Sequence, residues 1–149
     1  IESKLLYSLA GLVLTKAQER KLNGFQNRCL RKIVGVAPSY VSRVTNVTVL
    51  EKAGCRPTTD TLRKRRLQLF GKILRCPSGH PLRDACFVPM TWTLATDQYV
   101  RRLGRPCKEW TKEIMQDAIA LFGSMETASI QAQNKLMWST ALVSKLGYR

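Results

Sequence analysis

The stretch Thr15–Gly35 reads TKAQERKLNGFQNRCLRKIVG and predicts a clear amphipathic helix. Thr15, followed three residues later by Gln18, has the pattern of a capping box, in which the two side chains accept hydrogen bonds from free backbone N–H groups. Apolar residues then recur at spacings of three and four and share one face. They are Leu22, Phe25, Cys29, Ile33 and Val36. Gly35 and Pro38 predict the end of the helix.

The same helix carries a basic stripe opposite the apolar one. At 3.6 residues per turn, five cations fall within about a third of its circumference. They are Arg20, Lys21, Arg28, Arg31 and Lys32. We therefore expect the apolar stripe to face a core and all five cations to be available to a partner.

Four further helices follow from similar start and stop signals. They are Val47–Ala53 capped by Thr45 or Asn46 and ended by Gly54, a helix from about Thr58 to Arg75, one from Pro106 to Phe122, and one from Ser129 to Leu146. Proline and glycine between Cys76 and Arg105 predict loops, with room for one short strand at Ala85–Val88. The prediction is an all-α fold of four to five helices with a loop-rich middle. Its parts are a basic helical region at 1–76, a loop-rich connector at 77–104 and a C-terminal helical pair at 105–149.

Charge is the unusual feature of the composition. The 149 residues include 25 Lys or Arg and 10 Asp or Glu, giving a net charge of +15. Sixteen of the basic residues and only three acidic ones lie between Lys16 and Arg83. A basic balance this strong costs stability through self-repulsion and indicates a polyanionic partner.

The helix predicted at 58–75 adds a second group of cations to the basic stripe. Its candidates for nucleic-acid binding are Arg63, Lys64, Arg65, Arg66, Lys72 and Arg75. Two helices with cationic faces can line one groove that follows a phosphate backbone, which gives affinity without reading the bases.

The five cysteines are odd in number, widely spread and never form CxxC, so we expect free thiols in a reducing compartment. Cys76, His80 and Cys86 form a C-x3-H-x5-C run, with Cys55 as a fourth candidate zinc ligand. The paired short spacings typical of zinc sites are missing, and incidental cysteines explain the pattern better. We expect no cofactor in this chain.

No catalytic residues are predicted. The ten acidic residues are scattered singly, His80 has no nucleophile in a recognisable motif, and no glycine-rich phosphate loop is present. The apolar run Leu5–Leu14 is too short to span a bilayer and predicts a buried segment. We expect no membrane association.

The motifs of the chain, taken in order, resemble the region after the polymerase palm of non-LTR (LINE-type) retrotransposon reverse transcriptases. They are L-L-Y at Leu5–Tyr7, L-T-K at Leu14–Lys16, R-C-L-R-K-I-V-G at Arg28–Gly35, R-V-T-N at Arg43–Asn46, V-L-E-K-A-G at Val49–Gly54, R-R-L-Q-L-F-G-K-I-L-R at Arg65–Arg75, H-P-L-R-D-A at His80–Ala85, G-R-P from Gly104, Trp110 and Trp138. The chain departs from the family pattern at Ser8–Leu12, where a Gly, an acid and a Trp are usual. It also has Leu69 and Lys72 in place of a Trp and a His.

The resemblance implies a thumb-like role for residues 1–76. In that family the segment after the palm holds the RNA template and the growing DNA strand, while the palm aspartates carry out polymerisation. Arg28, Arg31 and Lys32 would then lie near the backbone of the hybrid. The catalytic aspartates and the palm, a further expected partner, would lie upstream, and the chain, which begins at Ile1, would be a fragment that is not itself an enzyme. We expect an intracellular, nuclear location.

Two other functions fit the residues. One is a helical structural or interaction module whose charge is incidental or faces an acidic protein. The other is a stand-alone DNA-binding domain, in which the segment Asn46–Arg75 acts as a helix-turn-helix.

Overall fold

The computed structural model describes residues 5–98, 104 and 108–147. These residues form eight α-helices and two short 3-10 helices, and they contain no strand. The α-helices are α1 (Lys16–Val34), α2 (Ser39–Ser42), α3 (Asn46–Lys52), α4 (Thr58–Arg75), α5 (Pro81–Asp84), α6 (Trp110–Phe122), α7 (Met125–Gln133) and α8 (Lys135–Lys145). The 3-10 helices are Leu9–Gly11 and Ala95–Gln98. The mostly helical class is therefore confirmed.

The predicted number of four to five helices is too low. Two of the additional helices, α2 and α5, are single turns of four residues, too short for a periodicity to reveal. The third arises because the helix predicted from Ser129 to Leu146 is divided at Asn134. There the Asn134 side chain accepts the N–H groups of Leu136 at 2.9 Å and Met137 at 3.2 Å, which starts α8 afresh.

The middle of the chain also differs from the prediction, because the short strand expected there is not formed. Instead of a short strand at Ala85–Val88, the described residues have one isolated antiparallel bridge between Phe87 and Leu94. The backbone N–H of Val88 donates to Thr93 and that of Ala95 donates to Cys86, so the pairing is confined to residues 86–88 and 93–95 and does not extend into a strand. The third long helix, predicted with Pro106 in its first turn, begins later than expected: Glu109 is its N-cap in extended conformation and α6 starts at Trp110, while Pro106 itself lies outside the described residues. Helix α6 ends at Phe122 as expected.

Local signals fix the ends of the N-terminal helices. The Thr15–Gln18 capping box is present at the start of α1, and Gly35 ends the helix with a φ of 69°. Thr45, one of the two predicted caps, accepts the N–H of Thr48 at 3.3 Å and starts α3. These ends were predicted because their chemistry involves only residues close in sequence.

The chain divides into two compact units, residues 1–63 and 64–149, and the division falls within α4. We call them the N-terminal unit and the C-terminal unit. Three described helices, α6 to α8, lie in residues 105–149, where a helical pair was predicted.

The C-terminal unit has an apolar core centred on Trp138. Its buried members are Leu67, Phe70, Ile73, Leu74, Phe87, Leu94, Ile114, Ala118, Phe122, Met125, Ala128, Ala132, Trp138 and Leu142. The Trp138 indole stacks on Phe122 with ring centroids 4.7 Å apart, and its Nε1 donates to the carbonyl of Leu67 at 3.0 Å. The indole fits because α4 has Gly71 at this point: a Cβ there would lie 2.3 Å from Trp138 Nε1. Gly71 thus permits the close approach of α4 and α8.

We expect Gly71→Ala to destabilise the protein by about 1–3 kcal/mol, because the added methyl group forces the buried indole to move. The matched control is Gly24→Ala, also within a helix, where a Cβ would meet nothing within 4 Å. This control should be neutral or stabilising by up to about 1 kcal/mol, since alanine favours helix more than glycine does. Urea unfolding followed by circular dichroism measures both changes, and equal effects of the two substitutions would contradict the packing described.

Candidate nucleic-acid interface

Helix α1 turns a polar face inward. Its buried residues are Asn27 and Arg31, each with 7 % of its surface exposed. Ile33, in contrast, is 74 % exposed and Phe25 is 39 % exposed. The prediction that the apolar stripe of α1 is the buried face is therefore wrong for Phe25 and Ile33. The physical reason lies in the hydrogen bonds that the polar side chains make.

Two amide side chains of α1 cap the N-terminus of α4. Gln26 Oε1 accepts the N–H of Thr58 at 2.8 Å, and Gln26 Nε2 donates to the carbonyl of Arg56 at 2.6 Å. Asn23 Oδ1 accepts the N–H of Thr59 at 3.2 Å, and Asn23 Nδ2 donates to Thr59 Oγ1 at 3.1 Å. The free N–H groups at a helix start need acceptors, and here a neighbouring helix supplies them. These contacts bind the polar face of α1 to the start of α4.

Arg31 is the buried cation of α1. Its Nη2 donates to the carbonyl of Val44 at 2.7 Å and to Asn46 Oδ1 at 3.0 Å. Its Nη1 donates to the carbonyl of Ala37 at 3.0 Å and lies 3.5 Å from Ser42 Oγ. The guanidinium thus holds the segment between α1 and α3, and it also lies in the last turn of α1, where the helix dipole favours a cation. Arg31, predicted to contact nucleic acid, is occupied by protein acceptors, and we leave it out of the candidate interface.

The other four predicted cations of α1, Arg20, Lys21, Arg28 and Lys32, are exposed. Lys21, Arg28 and Lys32 follow one another at spacings of seven and four, so they form one row along the helix. At 1.5 Å per residue the row is about 16 Å long. Glu19 is the sole acidic residue in the sequence of α1, which leaves the helix with a net charge of +5, six basic residues against one.

The predicted cations of α4 are more buried than those of α1. Arg63 in the N-terminal unit and Lys64, Arg65 and Arg66 in the C-terminal unit are half-buried, and Lys72 is exposed. Arg75 is half-buried and donates to the carbonyl of Ala132 at 2.9 Å, which joins α4 to the end of α7. The hypothesis that α1 and α4 line one groove stays a prediction.

The candidate zinc ligands gain no support from the structure. Among the residues described, no three His, Cys, Asp or Glu side chains are grouped so that they could hold a metal ion. His80 Nδ1 accepts the N–H of Leu82 at 3.2 Å and so caps α5. Cys55 Sγ donates to the carbonyl of Ala53 at 3.3 Å. Burial raises the pKa of the Cys86 thiol, and a hydrogen bond with Thr111 opposes this in part, whereas zinc needs the thiolate.

One residue of this surface was missed by sequence reasoning. Phe25 was assigned to the apolar stripe, yet it lies between Lys21 and Arg28 on the exposed side of α1. At 3.6 residues per turn, one arc of about 60° holds four side chains: Lys21, Phe25, Arg28 and Lys32. This spacing in the sequence could have placed Phe25 beside the cations.

Comparisons with known proteins do not assign the chain to a family. No protein-family model, no curated protein and no solved structure matches the chain. None of the helices in the described ranges is long and apolar enough to cross a membrane.

Two substitutions separate the structural arginine from the exposed one. We expect Arg31→Met to destabilise the protein by about 2–3 kcal/mol, because it leaves buried acceptors without a donor. Arg28→Met removes the same side chain from an exposed position and should change stability by less than about 0.5 kcal/mol. Thermal and urea unfolding of the full chain measure the difference. A stable Arg31→Met variant would show that the buried guanidinium does not organise the segment at 37–46.

Proposed function

We propose that the chain binds nucleic acid through the exposed cations of α1, as the post-palm region of a non-LTR retrotransposon reverse transcriptase would hold its template and primer. The observation that carries the proposal is the row of Lys21, Arg28 and Lys32, which stays exposed while Arg31 is used inside the protein. A row of cations along a helix suits a phosphate backbone, whose charges are also arranged in a line. The partners proposed are RNA and DNA in a hybrid, and, from the resemblance, an upstream palm.

The distribution of charge supports this reading over a general excess of basic residues. Helix α1 has a net charge of +5, whereas the sequence from 110 to 145, which spans α6 to α8, has three basic and three acidic residues and is neutral. Helix α4 has the same net charge as α1, with six basic residues against Asp60, and charge that served solubility alone would have no reason to favour α1 and α4 over α6 to α8. A segregated cationic face favours a polyanion.

Contacts between the family-like motifs also support the proposal. Arg31, within the motif at Arg28–Gly35, donates to Val44 and Asn46 of the motif at Arg43–Asn46. In the C-terminal unit, Gly71 makes room for Trp138. Two neighbouring motifs and one distant pair therefore meet in the fold, as expected if they belong to one ancestral architecture.

The proposed role is to bind nucleic acid without catalysing a reaction. Phosphate contacts position a nucleic acid and carry no base specificity, so binding should depend little on sequence. Polymerisation would belong to palm aspartates upstream of this chain, in the cell nucleus. We propose no catalytic residue and no cofactor for the chain itself.

The test measures the affinity of the full chain for an RNA–DNA hybrid as a function of salt. The double variant Arg28→Gln/Lys32→Gln should bind more weakly, and the slope of log affinity against log salt should fall in magnitude by about 2, one for each lost phosphate contact. The matched control, Lys112→Gln/Lys135→Gln, loses the same charge from exposed positions on α6 and α8.

The control variant should bind almost as the unmodified chain does, because α6 and α8 lie outside the proposed interface. Equal weakening by both double variants would indicate an effect of net charge alone and would contradict the proposal. Binding that is insensitive to salt would contradict it as well, since counterion release would then play no part.

A further inference from the structure

Aromatic side chains are placed differently in the two units. In the N-terminal unit, the described aromatic residues are all exposed: Tyr7 by 80 %, Phe25 by 39 % and Tyr40 by 85 %. In the described part of the C-terminal unit, every aromatic side chain belongs to the core or packs against it. These are Phe70, Phe87, Trp92, Trp110, Phe122 and Trp138. The chain can therefore bury aromatic rings, and the basic unit keeps its own at the surface.

Phe25 is the exposed aromatic residue with the most specific surroundings. It lines an open depression together with Arg28, Cys29 and Lys32. Lys21, one helical turn before Phe25, belongs to the same exposed side of α1. The aromatic ring thus lies at the level of the cations along the helix axis, on the side of their arc that adjoins Cys29.

We infer that Phe25 is a stacking platform for an unpaired base of single-stranded nucleic acid, with Arg28 and Lys32 binding phosphates next to that base. The inference rests on the proposed function and specifies the form of nucleic acid that this surface prefers. Proteins that bind single strands combine a positive surface that follows the backbone with aromatic rings on which bases stack. The depression beside Phe25 offers both kinds of contact within about two helical turns, since residues 25 to 32 span about 10 Å.

Charge and geometry select this ligand over others. In a duplex the bases are stacked on one another, so only the phosphates would reach α1 and the ring of Phe25 would contribute nothing. An uncharged apolar partner would leave Arg28 and Lys32 unused at the rim of the depression. A single strand supplies an apolar base face next to anionic phosphates, which matches an aromatic ring next to two cations in the depression.

The inference predicts different responses of single strands and hybrids to one substitution. In the full chain, Phe25→Leu should weaken binding of a short fluorescein-labelled polyuridine by about 10-fold, because stacking on an aromatic side chain contributes this much per base. Binding of an RNA–DNA hybrid of the same length should change by less than about 2-fold, since hybrid contacts are to phosphates. Phe25→Tyr keeps the ring and should bind both probes as the unmodified chain does.

A spectroscopic signal separates stacking from a general loss of packing. Phe25→Trp places an indole at the platform, and its fluorescence should be quenched by the polyuridine and much less by the hybrid. Far-ultraviolet circular dichroism of each variant checks that α1 is intact.

The outcomes distinguish this inference from the proposed function. If Phe25→Leu binds polyuridine as tightly as the unmodified chain, or loses both probes equally, the stacking platform is overturned while the phosphate grip stands. If Arg28→Gln/Lys32→Gln leaves the affinities for polyuridine and for the hybrid unchanged, both the stacking platform and the proposed function are overturned. Tight binding of a polyglutamate peptide together with no binding of either nucleic acid would overturn both and favour an acidic protein partner.

Discussion

The buried guanidinium of Arg31 places a positive charge inside a small helical unit and surrounds it with oxygen atoms of the segment Ala37–Asn46. Burying a charge is costly unless its hydrogen-bonding groups find partners, so this arrangement fixes how α1 can rotate about its axis. Asn23 and Gln26 add to the constraint from the same polar side through the start of α4. With that side turned inward, Lys21, Arg28 and Lys32 have to face solvent. The candidate interface therefore follows from a structural hydrogen-bond network.

Much of the fold could be predicted because its signals are local. The capping box at Thr15 and the left-handed glycines at Gly35 and Gly54 act within a few residues of their own position. The break at Asn134 was missed since a single asparagine inside an apolar periodicity is read as a tolerated residue. Asparagine is also a preferred N-cap, and here its side chain accepts the N–H groups two and three residues further on in α8, so the signal was local but ambiguous. The single turns α2 and α5 are too short to produce any periodic pattern.

The candidate site was predicted in part, and its errors have one cause. Lys21, Arg28 and Lys32 were assigned correctly to an exposed face because cations rarely enter a core without partners. Arg31 was assigned to that face for the same reason, yet its acceptors lie 6 to 15 residues further along the chain. Phe25 was placed in the core by its hydropathy, although the buried face of α1 is the polar one that carries Asn27 and Arg31. Hydropathy periodicity cannot identify a buried face whose contacts are hydrogen bonds.

The central claim is that the outward face of α1 is the surface that binds nucleic acid. The most direct measurement is a nuclear magnetic resonance titration of the 15N-labelled full chain with a single-stranded RNA, which reports on every backbone amide at once. The account predicts that the largest shift changes fall on the turns of α1 that carry Lys21, Phe25, Arg28 and Lys32, with little change across α6 to α8. Changes concentrated on α6 to α8, or no changes at all, would contradict it.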